Sequence, residues 1–448
     1  MHTGLQNDRA YIRKAKRMLL SRSLWRKRLV FWMGAILVGL VASYFALLAD
    51  WAQHTFNSMV KHSPWLPLIV SPTLFAFCTW ITLRYFPSIP GSGIPQAMAA
   101  RFLRDAQSRR YLVGPRVIVG KMLITIIGLL AGASIGREGP TVQVGAALLL
   151  LFAELGGLSA ERGIVLAGAS AGVAAAFNTP LAGIVFAIEE MARAFEHRNS
   201  SIVLAAIVFS GAAAMSISGN YNYFGYTMAE LSINRDWLAI AVLGVAGGLF
   251  GSLFTVLIIH GGKFVKQLYH QFGSRNPIKF SALCGLIIAS IGILTKGITY
   301  GTGYDMGYSL LHGTLDPAWW QAPAKLFVTA LCAITGMPGG IFSPSLSVGA
   351  AMGGELAALF PHTPIQGIIL LSMAAYFAGV TQAPITAFVI VLEITGKATT
   401  AVPLIAVALI AAALGRMLCP LSLYHALAKN FIADTKRWQT KQVEIKNQ

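Results

Sequence analysis

The residues best placed to do chemistry stand in Gly136-Arg137-Glu138-Gly139-Pro140, a charged, glycine-flanked break between two apolar runs. Met122 to Ile135 upstream is apolar except for small hydroxyls, and Val142 to Ala153 downstream carries no charge and is long enough for a helix. Ionisable residues are costly in a bilayer interior, so those found there usually face a cavity and mark an ion pathway. The glycines permit a non-helical backbone, which is tolerated at that depth only inside protein or beside water. Pro140 suits the first position of a new helix, where its missing N–H costs nothing. The free N–H groups of that first turn, carrying about half a positive charge from the helix dipole, then form an anion site.

The same device returns. Gly340-Ile341-Phe342-Ser343-Pro344 lies 204 positions after the first break, and the register holds without a gap on both sides. Lys121 meets Lys325, Thr125 meets Thr329, Gly132 meets Gly336, Val144-Gly145-Ala146-Ala147 meets Val348-Gly349-Ala350-Ala351, Pro180 meets Pro384, and Glu189 meets Glu393. With a slip of six residues, Gly91-Ser92-Gly93 also pairs with Gly301-Thr302-Gly303. The chain reads as a duplicated membrane unit. Interrupted apolar segments at matching positions of two halves are the best sequence pointer to a transporter's substrate site.

Composition agrees. Hydrophobic residues make up 55% of the 448 positions and charged residues 12%, with mean hydropathy +0.64; a soluble domain carries about twice that charge. The net charge of +18 comes from basic residues in the N-terminal segment, short loops and tail, so the positive-inside rule explains it better than nucleic-acid binding does. Cys78, Cys284, Cys332 and Cys419 lie in apolar context without metal-ligand spacing and read as core thiols, with no disulfide, metal or cofactor implied.

Residues 1–28 read as a basic amphipathic helix on the cytoplasmic face, with Tyr11, Ile12, Leu19, Leu20 and Trp25 among nine arginines and lysines. Residues 29–222 form a first membrane repeat, 223–428 a second, and 429–448 a cytoplasmic tail, with no soluble regulatory domain expected. Leu29 to Leu48 is a retained first span rather than a signal peptide. A second apolar segment, Trp65 to Leu83, runs into Phe86-Pro87-Ser88-Ile89-Pro90-Gly91-Ser92-Gly93-Ile94-Pro95, whose prolines and glycines forbid regular structure and leave N–H groups and the Ser92 hydroxyl free to coordinate. Arg101, Arg104, Arg109, Arg110 and Arg116 make a cytoplasmic loop. Apolar segments near 117–135, 141–156, 163–176 and 180–192 follow, several too short to cross about 30 Å of hydrocarbon upright. Tilted and half-spanning helices are implied, and an odd number of crossings per unit would invert the second repeat so that the two breaks meet at mid-membrane.

GSGIP at 91–95, GREGP at 136–140, GGIFSP at 339–344 and the tyrosine of PLSLYHAL together resemble the CLC chloride channel and transporter family across residues 30 to 430. The resemblance implies an all-α polytopic membrane protein of two inverted-topology repeats, assembled as a homodimer with a pathway in each subunit. It makes Ser92 and Tyr424 hydroxyl donors to a central chloride, completed by the backbone N–H groups of Ile341 and Phe342. Hydroxyls and helix ends offset the desolvation of an anion without trapping it as a lysine would. Glu138 matches the external gating glutamate, which occupies an anion position when ionised and leaves it when protonated. In the second repeat its counterpart is Phe342. Glu190 matches the internal proton-transfer glutamate of antiporting members, against a simpler reading as an interfacial carboxylate paired with Arg193 or Arg198. Glu189, whose mate is Glu393, reads as structural. Ser92 resembles chloride-selective members, where a proline would resemble nitrate exchangers.

Glutamate often follows GSGIP in that family, whereas Gln96 stands here with Met98 beyond it, leaving Lys121 without a familiar carboxylate partner. Arg137 reads equally as an anion attractor or as half of a structural ion pair. The leading expectation is a secondary antiporter exchanging chloride for protons across a prokaryotic cytoplasmic membrane, with both termini cytoplasmic. The alternative is a passive voltage- or pH-gated chloride channel on the same scaffold. No Ser/His/Asp set or His-rich metal cluster supports an enzyme.

Overall fold

The computed structural model describes residues 21–157, 162–192, 200–219, 222–227, 231, 233–272, 276–396 and 400–447. The regular elements among them are helical: α1 Arg22–His62, α2 Pro67–Tyr85, α3 Ile94–Phe102, α4 Ala106–Val113, α5 Pro115–Leu130, α6 Glu138–Leu155, α7 Arg162–Phe177, α8 Pro180–Phe186 with a π-helical extension Ala187–Ala192, and α9 Ser200–Ser218. The second half follows the same order without a counterpart of α4: α10 Ile233–Phe272, α11 Asn276–Leu294, α12 Tyr304–Leu311, α13 Gln321–Ile334, α14 Phe342–Leu356, α15 Ile365–Thr381, α16 Pro384–Thr395 and α17 Ala401–Leu418. A last helix, α18 Leu423–Asn447, has no counterpart in the first half. Eight of the described helices are long and apolar enough to cross a membrane.

The apolar pattern explains which helices lie inside. α7 and α15 are apolar on every side, and Gly163–Phe177 and Gly367–Thr381 are buried without interruption, as expected of helices surrounded by protein. α2 and α11 bury little of their length and present residues such as Ile69, Phe77, Leu283 and Leu294 outward. Outward-facing apolar helices therefore surround shorter, buried ones.

The repeats meet on a two-fold relation. The Gly136 N–H donates to the Gly340 carbonyl at 2.7 Å, and the Gly340 N–H donates back to Gly136 at 2.6 Å, as an isolated antiparallel bridge. Each glycine thus bonds its own repeat counterpart, and the chain passes this point in opposite directions in the two halves. A second reciprocal exchange lies at the repeat boundary. Glu393 accepts from the Leu181 and Ala182 N–H groups at 3.1 and 2.6 Å, and Glu189 accepts from Ile385 and Thr386 at the same two distances. Each carboxylate caps the first turn of the other repeat's helix, satisfying N–H groups that have no intrahelical partner. The structural reading of Glu189 and Glu393 is the one this geometry bears out.

Several expected boundaries move. Residues 1–20 lie outside the described residues, and the basic positions from Arg22 already belong to α1. That helix runs well past Leu48 to His62, and the boundary between 428 and 429 falls inside α18. Pro140 is the third rather than the first residue of its helix, because α6 begins at Glu138. The third N–H also lacks an intrahelical acceptor, so proline costs nothing there either.

Candidate functional site

The reciprocal glycine bridge presses two helix starts against one another. A Cβ on Gly139 would lie 3.0 Å from the Gly340 Cα and would overlap the Ser92 hydroxyl, so only glycine lets the GREGP turn, the GGIFSP turn and the GSGIP loop share one point. α14 opens at Phe342 with Ile341 as its N-cap, and its first bond runs from the Ser345 N–H to the Ile341 carbonyl at 2.9 Å. The Ile341 and Phe342 N–H groups precede that bond and have no intrahelical acceptor.

The GSGIP loop is held from both sides. Lys121, fully buried on α5, donates from Nζ to the Ile89 carbonyl at 2.7 Å and also to the Gly91 carbonyl. Its repeat mate Lys325 does the same to Thr299 and Gly301, both at 2.9 Å. Gln96 accepts from the Gly93 N–H at 3.1 Å and donates to the Pro90 carbonyl at 2.7 Å. An ionised glutamate, which only accepts, could not make the second bond. Carbonyl oxygens, rather than a carboxylate, therefore receive the Lys121 ammonium, and the glutamine stiffens the loop that carries Ser92.

Tyr424 reaches the same place from the start of α18. Its phenol is fully buried, with the ring centroid 5.8 Å from that of Phe342, and its hydroxyl neighbours that of Ser92. Neither hydroxyl makes a hydrogen bond of ordinary geometry to protein. Buried polar groups are nearly always satisfied, and such a pair asks for an acceptor. Phe342 is itself enclosed by Phe177, Phe186 and Phe377, at centroid distances of 5.8, 6.3 and 4.7 Å. The result is two donors and a helix start in an otherwise apolar surround.

Two buried carboxylates, Glu138 and Glu190, are near enough to Tyr424 to act on its phenol. Glu138 is the first residue of α6 and is fully buried, with its Oε1 3.4 Å from the Tyr223 hydroxyl and its Oε2 without a protein partner. Glu190 is 3% exposed on the π-helical stretch, and its Oε1 lies 3.6 Å from His425 Nδ1. The wider π turn lets adjacent glutamates part company: Glu189 caps α16 while Glu190 turns inward. Arg193 and Arg198, the alternative partners of Glu190, lie outside the described residues. Arg137 makes an ion pair with Asp50 at 2.6 Å and donates to the Ala46 carbonyl at 2.9 Å, the structural alternative of its two readings.

Ser92, Glu138, Ile341, Phe342 and Tyr424 are thus brought together, and Glu190 lies beside His425, the residue after the tyrosine. Reading the sequence missed Tyr223, Asp50 and His425. Asp50 lies two residues past the expected end of the first span, and His425 is adjacent to a residue already singled out. Tyr223 sits in a linker with no periodicity to give it away.

Residues 73–416 match the family described as voltage gated chloride channel. The fold is similar to the crystal structure of a slow cyanobacterial Cl-/H+ antiporter, with TM-score 0.75, 22% identity, and coverage of 90% of this chain and 98% of the other. It is similar to a CLC-type fluoride/proton antiporter at TM-score 0.76 and 22% identity, again over 90% and 98%. A eukaryotic CLC transporter gives TM-score 0.71 at 22% identity over 90% of this chain and 74% of that one. At that identity the structures show the fold they share.

Proposed function

The chain belongs to the voltage gated chloride channel family, and on that premise we propose that it is a secondary active antiporter exchanging chloride for protons. The observation that carries this reading is the convergence of two buried hydroxyls without a hydrogen bond of ordinary geometry, Ser92 and Tyr424, on the start of α14, with the buried carboxylates of Glu138 and Glu190 close by. Hydroxyls and backbone N–H groups compensate an anion's lost hydration without fixing a full opposing charge beside it, so the ion can leave. Glu138 is the gate. Ionised, its carboxylate competes with chloride for the N–H groups near the paired helix starts; protonated, it gives up that position. Glu190 passes protons between the opposite side of the membrane and the centre.

The chloride path and the proton path coincide at Glu138 and diverge beyond Tyr424, which couples the two flows. We put the termini on the cytoplasmic side of a prokaryotic inner membrane because Arg101, Arg104, Arg109, Arg110 and Arg116, which fall on and between α3, α4 and α5 rather than in one loop, concentrate positive charge there, as the positive-inside rule favours. The protein works as a homodimer with one pathway per subunit. Glu138→Gln, which keeps the shape and removes the charge, abolishes proton movement while chloride flux continues in liposomes. Coupled exchange preserved in that variant contradicts the gating role.

A further inference from the structure

Tyr223 lies in the connection between the repeats, yet it is buried to 4% exposure beside Glu138. The connection is pinned where the tyrosine enters: the Phe224 N–H donates to the Ile394 carbonyl at 3.0 Å, at the end of α16, and the Gly225 N–H closes a turn on the Asn222 carbonyl at 3.0 Å. The ring is gripped edge-on by Phe177, Phe224 and Tyr304, at centroid distances of 5.8, 5.1 and 5.1 Å. The Arg137 guanidinium carbon stands 5.9 Å from its centroid. This packing aims the hydroxyl between two oxygens, Glu138 Oε1 at 3.4 Å and Ser343 Oγ at 3.3 Å. Both separations exceed a relaxed O–H···O bond, so the hydroxyl is shared between them and a small rotation commits it to either.

We propose that Tyr223 is a latch on the Glu138 carboxylate, a positioning residue supplied by the linker that holds the ionised gate and releases it on protonation. The inference rests on the gating role of Glu138 proposed above and adds the group that sets when the gate opens. A hydroxyl donating to a carboxylate favours its ionised form. Once the carboxyl is protonated that preference is lost, and the tyrosine can turn to Ser343. The charged and titratable groups around the gate are Arg137 on its own helix start, Tyr223 on the linker and Tyr424 on α18. Asp50 on α1 acts on Arg137 and Tyr223. The Ser343 N–H also faces the carboxylate. Of these, Tyr223 is the one neutral side chain whose hydroxyl lies within 3.5 Å of the carboxylate among the described residues.

The test is the pH dependence of chloride efflux from liposomes for wild type, Tyr223→Phe, Glu138→Gln and the double variant. Tyr223→Phe keeps the ring and its packing and removes only the latch. Its pH of half-maximal efflux moves upward by about one unit, equivalent to roughly a tenfold change in gate protonation. In the Glu138→Gln background the same change leaves efflux and its pH dependence unaltered. A Tyr223→Phe profile that superimposes on wild type overturns the latch, as does an effect that persists unchanged without Glu138. Tyr223→Leu, which removes ring and hydroxyl together, separates packing from bonding: a shift in the leucine variant alone also overturns the proposal. Efflux is read without reference to proton coupling, so a failure of antiport in the wild type counts against the proposed function while the latch is still decided.

Discussion

A phenol hydroxyl is a modest anion ligand, and modesty suits a site that must release its ion each cycle. In the proposed mechanism Tyr424 and Ser92 supply two such groups, and the residues behind them fix their positions: Lys121 and Gln96 on the loop, Phe342 against the phenol ring. Replacing Tyr424 by alanine removes one donor and the phenol ring that both Glu138 and Glu190 act on. We expect chloride affinity to fall about tenfold, in line with one hydrogen bond to a charged group, and proton coupling to loosen. Titration calorimetry on purified protein reads the first effect, and an unchanged affinity contradicts the assignment of Tyr424. At this scale the sequence was informative where a motif named the residue, as for Ser92, Glu138 and Tyr424. Tyr223 was illegible because its contact with Glu138 spans 85 positions and no periodic pattern predicts it.

At the scale of elements, the gap-free offset between the halves was the strongest signal, and it located both helix starts to within two residues. Helix lengths were harder to read. α1 continues beyond its most apolar stretch to His62, and the polar residues of that extension find partners no window of sequence can show: Asp50 meets Arg137, and Gln53 meets Asp305 at 3.2 Å. The glutamate caps make a prediction that belongs here. Glu393→Gln weakens a charge-assisted cap on α8 at a helix junction away from the hydroxyl pair. We expect a loss of about 1–2 kcal/mol, read as a lower thermal midpoint in detergent, with the ratio of protons to chloride unchanged. A changed ratio at undiminished stability contradicts the structural role given to Glu189 and Glu393.

Over the whole molecule, duplication and inversion give a symmetric scaffold, and function comes from breaking that symmetry. The two central glycines exchange hydrogen bonds as equals, the two lysines grip equivalent loops, and the two glutamates cap each other's helices. The first position of the broken helix then differs: Glu138 in one half, Phe342 in the other. One can gain and lose a proton while the other only packs. α18, added outside the repeat, brings Tyr424 to the centre from one side only. The asymmetric parts are those assigned to transport, and the symmetric parts hold them in place.

The central claim is that chloride and proton flows are coupled, and it is tested most directly with purified protein in liposomes under a chloride gradient, with valinomycin and potassium holding the voltage near zero and an electrode recording external pH. The account predicts that chloride moving down its gradient drives protons uphill in the opposite direction, and that Glu190→Ala abolishes this proton movement while chloride still flows. Chloride flux with no proton movement in the wild type, reproduced across pH, contradicts it and makes the protein a passive chloride pathway in which Glu190 is only structural.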